Sequence, residues 1–349
     1  MNSEKWNMEL SQYIKQGKVE EREKAKSWET AIGLQDVDGL KPSLYLLDTA
    51  KEHIEGNIDI KEVKKRINNY YEHSNKEKKI ENTEEADKVS TIITEILDEK
   101  AFSFSPAELL GIHKRLFTGI IDKAGEYRDF NFTKKEWVLN NDTVTYSSYE
   151  TINETINYDF EQEKNFSYKN LSIDDSIKHL CRFIANVWQI HPFCEGNTRT
   201  IAVFLIKYLR TFGFDVKNEI FADNAWYFRN ALVRANYKNY DKNIFEDISY
   251  LEKLLHNLLT NSNYELKNRY MHIDYVFKVK ESNDYELSIE ERAILNIIRR
   301  DSNITQMEIA NKINKSLRTV KYYMSSMKKK GLIERRNGKR DGEWIVASY

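Results

Sequence analysis

The scarcity of helix breakers constrains this chain more than any other feature, because 349 residues contain only three prolines and 12 glycines. Over long stretches apolar residues recur at spacings of three and four, the pattern of helices that bury one face. The expected class is all-α. Each proline stands where a helix would begin, most clearly at Ser105-Pro106-Ala107-Glu108, where a serine cap, a proline at the first helical position and a glutamate at the third precede Leu109, Leu110, Ile112 and Leu116. With 40% hydrophobic side chains the chain can bury a sizeable core, and its length suggests about two to three units.

Composition narrows the setting. No window approaches the roughly 20 uncharged apolar residues of a spanning helix, and the opening MNSEKWNMEL has no secretory apolar region, so a cytoplasmic protein without membrane partners is expected. Cys181 and Cys194 are too few for a disulfide scaffold and read as reduced thiols. The net charge of −1 conceals a division: residues 287–349 hold 14 Lys and Arg against 7 Asp and Glu, so this tail carries +7 and the remainder −8. Such asymmetry points to an anionic partner for the tail.

Four segments emerge. Residues 1–75 read as short charged helices broken at Val37-Asp38-Gly39-Leu40-Lys41-Pro42. Residues 76–265 hold aromatic-rich helices. A polar stretch within Asn261 to Glu286, drawn at 266–286, reads as a linker, and 287–349 form a separate unit. One interruption of the helical pattern is expected. Trp137-Val138-Leu139 and Thr143-Val144-Thr145-Tyr146 flank Asn140-Asn141-Asp142, the composition of a β-hairpin, whose plain reading is a structural turn.

The chemistry concentrates in His191 to Thr200, HPFCEGNTRT. Before it, Ile177, Leu180, Cys181, Ile184, Val187 and Trp188 fall on one helical stripe. After it, TIAVFLIKYL is apolar all round and should run through the core to end near Gly213. A loop entering a buried helix through Glu195-Gly196-Asn197 presents unpaired backbone N–H groups at a positive dipole end, which suits phosphate. His191 can take a proton near neutral pH, Glu195 offers hard oxygen to Mg²⁺, Asn197 and Arg199 can donate to phosphate oxygens, and Gly196 permits close backbone approach. His191 and Glu195 could instead be zinc ligands, but no third ligand lies nearby in sequence.

HPFCEGNTRT resembles the signature of the Fic (filamentation induced by cyclic AMP) domain: HPF, any residue, Asp or Glu, GN, any residue, Arg. The resemblance extends over about residues 80–265, since the turn from Ala124-Gly125 to Arg128, the hairpin at 135–146 and Arg234-Ala235-Asn236 fall where Fic domains carry comparable pieces. It implies AMP transfer from ATP, with Mg²⁺, to a hydroxyl side chain of a protein target. His191 would be the general base, Glu195 would hold Mg²⁺ on the α and β phosphates, Asn197 would bind the α-phosphate and Arg199 the β-phosphate. Backbone amides from Cys194 through Asn197, within a phosphate loop that includes Thr198, would stabilise the transition state, with Phe193 packed beneath. The hairpin, through Trp137, Val138, Leu139 and Val144, would clamp the target as an added strand. Asn236 would contact adenine and Tyr227 or Phe228 would flank it.

Two departures from the Fic pattern stand out. A second arginine, frequent three residues after the first, is Ala202 here, which removes a charge-assisted contact worth about 1.5–3 kcal/mol. The inhibitory helix motif of Fic proteins, Ser or Thr, three residues, Glu, then Gly or Asn, finds its nearest fit in Leu34-Gln35-Asp36-Val37-Asp38-Gly39, with leucine for serine and the shorter Asp38 for glutamate. Asp38 is the inhibitory candidate. With both halves of the usual brake altered, the N-terminal helices are expected to stabilise the fold without strongly silencing it; the competing reading is that Asp38 still reaches Arg199.

In the tail, Thr305-Gln306-Met307-Glu308 is a capping box and Asn311 to Lys315 a turn; a second helix from Ser316 turns Val320, Tyr323, Met324 and Met327 inward and Arg318, Thr319, Lys321 and Tyr322 outward. Strand-like Leu332 to Arg335 and Trp344 to Val346, around Gly338 and Gly342, complete a pattern that looks like a winged helix-turn-helix. From Lys312 to Arg340 there are 11 basic residues and one acidic, so DNA is the expected partner, with Arg340 on the wing among its contacts; the plainer reading is a protein-binding winged helix. A nucleotide-sensing regulator, transfer of phosphate or UMP, and homo-oligomerisation remain open.

Overall fold

The computed structural model describes residues 3–74, 83–214, 219–260, 262–275, 287–336 and 343–346. These divide into two compact units, Met1–Tyr275 and Val276–Tyr349. The first carries twelve helices among its described residues: α1 (Ser3–Gln16), α2 (Val19–Gly33), α3 (Leu44–Ile54), α4 (Ile60–Ser74), α5 (Glu84–Asp98), α6 (Pro106–Phe117), α7 (Ile152–Asn165), α8 (Ile173–Ile190), α9 (Asn197–Thr211), α10 (Glu219–Asp223), α11 (Ala225–Ala235) and α12 (Ser249–Thr260). The all-α class follows as the shortage of breakers requires.

α9 is the axis of this unit. Residues 197–209 are all buried, including the run Ile201 to Ile206, so the helix is enclosed on every side rather than amphipathic. It ends one residue past its last buried turn, with Gly213 at φ +83° just beyond. α8 packs alongside with the expected stripe of Ile177, Leu180, Cys181, Ile184, Val187 and Trp188, all buried. α6 opens as its sequence dictates: Ser105 accepts from the Glu108 amide and Pro106 takes the first helical position. Pro42 precedes the Ser43 cap of α3. Pro192 departs from the pattern, since it lies in a loop five residues ahead of α9.

The N-terminal helices belong to the same unit. Buried Asp87 on α5 accepts from the backbone amide and hydroxyl of Ser43 and from the Tyr71 hydroxyl, at 2.8, 2.5 and 2.6 Å, tying α3 and α4 to α5. Leu34 and Val37, in the 3-10 turn Leu34–Asp38 that follows α2, belong to the same core as the buried residues of α8 and α9. At the other end, residues 262–275 fold back: Met271 is buried, and the Ile273 amide donates to the Val138 carbonyl at 2.8 Å. Residues 276–286 of the expected linker lie outside the described ones.

The segment 135–146 is not a β-hairpin. Trp137–Leu139 is a short 3-10 turn, Asn140 and Asn141 take positive φ, and the Glu136 amide meets the Asp142 carbonyl at 2.9 Å to close a compact loop. Its aliphatic residues point into the core: Val138, Leu139 and Val144 are fully buried, while Trp137, 47% exposed, and Thr145 face outward. Apolar burial, not strand pairing, is what those residues encode.

The second unit holds α13 (Ile289–Arg300), α14 (Gln306–Lys312), α15 (Leu317–Lys329), β1 (Ile333–Arg336) and β2 (Glu343–Val346). The strands pair antiparallel with Ile333 opposite Val346 and are the only strands among the described residues. Reciprocal capping boxes at Ser288/Glu291 and Thr305/Glu308 start the first two helices. Val320, Met324, Met327, Ile309, Ile298 and Trp344 close a core of their own.

Candidate active site

The site forms where α8 hands over to α9. His191 caps α8 in the left-handed conformation, φ 50° and ψ 60°, a region that a residue with a Cβ enters only when its surroundings hold it there. Arg128 supplies much of that restraint. Buried to 2% exposure, its guanidinium donates to the carbonyls of His191 (2.8 Å), Phe130 (2.7 Å), Ser147 (2.5 Å) and Ile190 (3.3 Å), and its amide donates to the Pro192 carbonyl at 2.8 Å. One cation thus satisfies the carbonyls at the C-terminus of α8 and fixes the exit of the chain.

The His191 ring lies in an aromatic enclosure. Tyr146 stacks on it at 4.0 Å, with Trp188 and Phe132 edge-on at 5.3 and 5.6 Å. The residue is 3% exposed, and neither Nδ1 nor Nε2 has hydrogen-bond geometry to any of the described residues. Burial holds its pKa well below the ordinary imidazole value, and the cations Lys134, Arg229 and Arg128 push in the same direction, against the weaker pull of the Trp188 backbone. The ring is therefore neutral, with a free lone pair. Leaving a buried polar atom unpaired costs about 1–3 kcal/mol, a burden that function explains better than packing does.

The following loop is shaped from within. Asn197 folds its amide back, donating to the Phe193 carbonyl at 2.7 Å and accepting from the Phe193 amide at 3.0 Å. Its expected phosphate contact is thus replaced in this structure by loop closure. Thr198 accepts from the Trp188 indole at 3.0 Å, so it too locks the loop to α8. Gly196 is at φ +72°, and an added Cβ would stand 2.3 Å from the Phe117 ring. Beneath, Phe193 is fully buried and stacks on His113 at 3.7 Å.

His113 was not singled out by the sequence, and it organises the loop from below. Its Nδ1 accepts from the Gly125 amide at 2.8 Å, which leaves Nε2 to donate to the Glu195 carbonyl at 3.1 Å. Burial lowers its pKa to about 4, so it is neutral and its tautomer is set by those two partners. With the Glu195 carbonyl held downward, the amides of Cys194, Glu195, Gly196 and Asn197 donate to no acceptor among the described residues. They stand unpaired at the start of α9, where the helix dipole favours an anion. Cys194, half-buried, has its thiol pKa raised by burial.

The metal-ligating side chain expected here is exposed: the Glu195 carboxylate is 57% accessible and paired with Lys134 at 2.9 Å. No group of three potential metal-ligating His, Cys, Asp or Glu occurs among the described residues. That pattern disfavours zinc and fits Mg²⁺, which binds through one or two carboxylates and completes its shell with substrate phosphates and water.

Arg199 is where the structure corrects the sequence most. It is 2% exposed, and Asp38 lies 2.8 Å from its Nε. The shortened acid does reach, which is the geometry of the competing reading rather than of helices that only stabilise the fold. Glu85 on α5 pairs with Nη2 at 2.6 Å, Gln35 accepts from Nη1 at 3.1 Å, and the Phe117 ring packs under the guanidinium at 4.9 Å. Asp38 also faces Arg229 of α11 at 3.6 Å, and Arg229 in turn holds both oxygens of buried Glu136 at 3.0 and 3.1 Å. Burial raises the Glu136 pKa against the pull of Arg229.

Other expected contacts fall elsewhere. Tyr227 and Phe228 are core residues, 1% and 0% exposed, and the Tyr227 hydroxyl donates to the Tyr250 carbonyl at 3.3 Å, so neither can flank a base here. Asn236 donates to the carbonyls of Ala185 and Leu232, at 3.0 and 2.9 Å, which commits its amide donors to the fold. Val138, Leu139 and Val144 anchor the 135–146 loop through their buried side chains. In the second unit, Arg318, Lys321 and Tyr322 are exposed along α15, while Thr319 closes the Ser316 cap through hydroxyls 2.8 Å apart. Arg340 lies outside the described residues.

Comparison with known proteins agrees with this geometry. The Fic/DOC family model matches residues 103–209, and a winged helix-turn-helix DNA-binding model matches residues 291–334. Among solved structures, a Fic family protein from Desulfovibrio desulfuricans G20 is similar, with 12% identity, 100% of this chain and 97% of that chain covered, and a TM-score of 0.46. The N-terminal Fic domain of a Bartonella effector protein (Bep) from Bartonella sp. AR 15-3 shows 19% identity over 50% of this chain and 79% of that one, TM-score 0.40. That of Bep8 from Bartonella sp. 1-1C shows 18% identity over 52% and 88%, TM-score 0.40. No curated protein matches the chain. No helix among the described residues is long and apolar enough to cross a membrane. The loop of His191 to Arg199 lies inside the first matched stretch and the exposed α15 inside the second: the chain is a Fic-domain protein with a C-terminal winged helix-turn-helix.

Proposed function

We propose that this Fic-type transferase moves AMP from ATP onto a hydroxyl side chain of a protein. The observation that carries the reading is His191, a buried neutral imidazole whose two nitrogens lack partners, placed at the head of a loop whose amides are unpaired. A nucleotide sensor has no need of such a base. In the proposed step His191 takes the proton of the target hydroxyl, the new O–P bond forms at the α-phosphorus, and the bond to the β-bridging oxygen breaks, its electron pair leaving with pyrophosphate. The amides of Cys194 through Asn197 stabilise the charge that develops on the α-phosphoryl oxygens. Glu195 is the residue to hold Mg²⁺, which when bound neutralises phosphate charge; Lys134 must first release that carboxylate. The second unit is a DNA-binding module whose exposed α15 face reads the major groove.

Incubating the full chain with Mg²⁺ and either α-labelled or γ-labelled ATP, beside His191→Ala, tests the reaction. Protein label from the α position alone, lost in the variant, is expected. Label from the γ position would replace AMP transfer by phosphate transfer, and no label from either would favour a sensor.

A further inference from the structure

Two guanidiniums from different helices converge on one carboxylate beside the phosphate loop. Asp38 places one oxygen 2.8 Å from Arg199 Nε and the other 3.6 Å from Arg229 Nη1. A carboxylate and a phosphate present their oxygens to arginine forks in similar ways, so Asp38 stands where a phosphate could stand. We infer that Arg229 is the second ligand of the anion subsite that Arg199 opens, the pair taking the terminal phosphates of a nucleoside triphosphate; this rests on the nucleotide-transfer reading above.

The way the cluster is held supports an exchangeable occupant. Asp38 and Gln35 both belong to the turn Leu34–Asp38. Displacing that one turn frees Nε and Nη1 of Arg199 and Nη1 of Arg229 together. Glu85 and Glu136 belong to other segments and stay in place, on Nη2 of Arg199 and Nη2 of Arg229, keeping both forks oriented. With Asp38 docked these edges are occupied, and once it leaves they need acceptors. Arg229 Nε is already buried without a hydrogen bond. Ala202, fully buried one turn beyond Arg199, supplies no charge of its own, and among the described residues the cations that pair with Asp38 are Arg199 and Arg229. A purely structural Arg229 would serve only to neutralise Glu136.

Equilibrium binding of ATP, AMP and inorganic pyrophosphate, each with Mg²⁺, to the full chain carrying Asp38→Ala separates these roles. Adding Arg229→Met with Glu136→Gln removes both charges of the buried pair and leaves no orphan carboxylate; a thermal melt verifies the fold. ATP and pyrophosphate should bind about ten-fold or more weakly, and AMP within about two-fold of the parent. Equal ATP affinity with and without Arg229 overturns the inference and leaves the transfer reading intact. An Asp38→Ala chain that binds neither ATP nor pyrophosphate overturns both. If the triple variant does not fold, Arg229→Lys on the Asp38→Ala chain decides: the ratio of ATP to AMP affinity falls if the fork is a phosphate ligand and stays unchanged if it is not.

Discussion

Gly196 tolerates less change than any other residue of the phosphate loop. Its φ of +72° strains any side chain, and the Phe117 ring fills the space a Cβ would need, 2.3 Å away. Gly196→Ala therefore combines left-handed strain with overpacking against a buried aromatic ring, a sum of about 2–4 kcal/mol. The variant should melt lower by calorimetry and lose transfer activity out of proportion to its loss of fold, because the neighbouring amides move with it. A melting temperature equal to the parent's would show that the loop has room to spare. Which residues build the site was only half legible. His191, Glu195, Gly196 and Arg199 announce themselves because they are packed into nine positions of one loop. His113, Glu85 and Arg229 do not, because they reach the loop through tertiary contacts from distant segments and no local pattern marks them; Arg128 is marked only as the end of a turn that the Fic resemblance covers. Asn197 and Thr198 were identified as loop residues, but whether an amide turns toward a ligand or toward Phe193 depends on loop geometry that spacing does not encode.

Among the elements, the 3-10 turn Leu34–Asp38 has the clearest switch-like construction. Buried Leu34 and Val37 anchor it to the core, while Gln35 and Asp38 occupy Arg199. Gly39, at φ +69°, ends it. On the proposed reading Arg199 binds phosphate, so a carboxylate on its guanidinium lowers nucleotide affinity by the fraction of time the turn is docked. Asp38→Ala in the full chain should accordingly raise incorporation of α-label by about ten-fold or more, since a charged contact worth about 1.5–3 kcal/mol corresponds, at about 1.4 kcal/mol per decade, to a factor of at least ten. Glu85→Gln should not activate, because Glu85 orients Arg199 without belonging to the turn. Equal activation by both variants would mean that relief of charge, not departure of the turn, is what matters. Helix starts were legible wherever the signal is local: Ser105, Thr305 and Ser316 all cap as their neighbours dictate. The loop at 135–146 was misread because β-branched residues mark burial as readily as they mark strands, and the Asp38 to Arg199 ion pair, between residues 161 positions apart in the numbering, leaves no periodic trace.

Across the whole molecule, charge is divided by function, with +7 on residues 287–349 and −8 on the rest. A division of this size is an argument about partners, since net charge governs association with polyanions and not the choice of fold. The acidic remainder gives a nucleic acid no general reason to bind there, so affinity for DNA should arise from the tail alone. On α15 the exposed face carries Arg318, Lys321, Lys328 and Lys329, with Tyr322 70% exposed among them, while Val320, Met324 and Met327 hold the opposite face in the core. Each Lys or Arg that neutralises a backbone phosphate releases condensed counterions, so the logarithm of the binding constant falls against the logarithm of salt concentration by about 0.9 per phosphate contact. Full-length protein titrated onto duplex DNA over a series of salt concentrations should give a steep negative slope. Arg318→Ala and Lys321→Ala should each flatten it by about 1 if they meet phosphates. A side chain that reads base edges would instead lower affinity on a preferred sequence with little change in slope, so the two outcomes assign each residue to backbone or base contact. Binding that ignores salt, or slopes unmoved by both substitutions, would assign the winged helix to a protein partner. Because the two substitutions leave the helical unit unaltered, incorporation of α-label by the same preparations serves as the internal standard for intact protein.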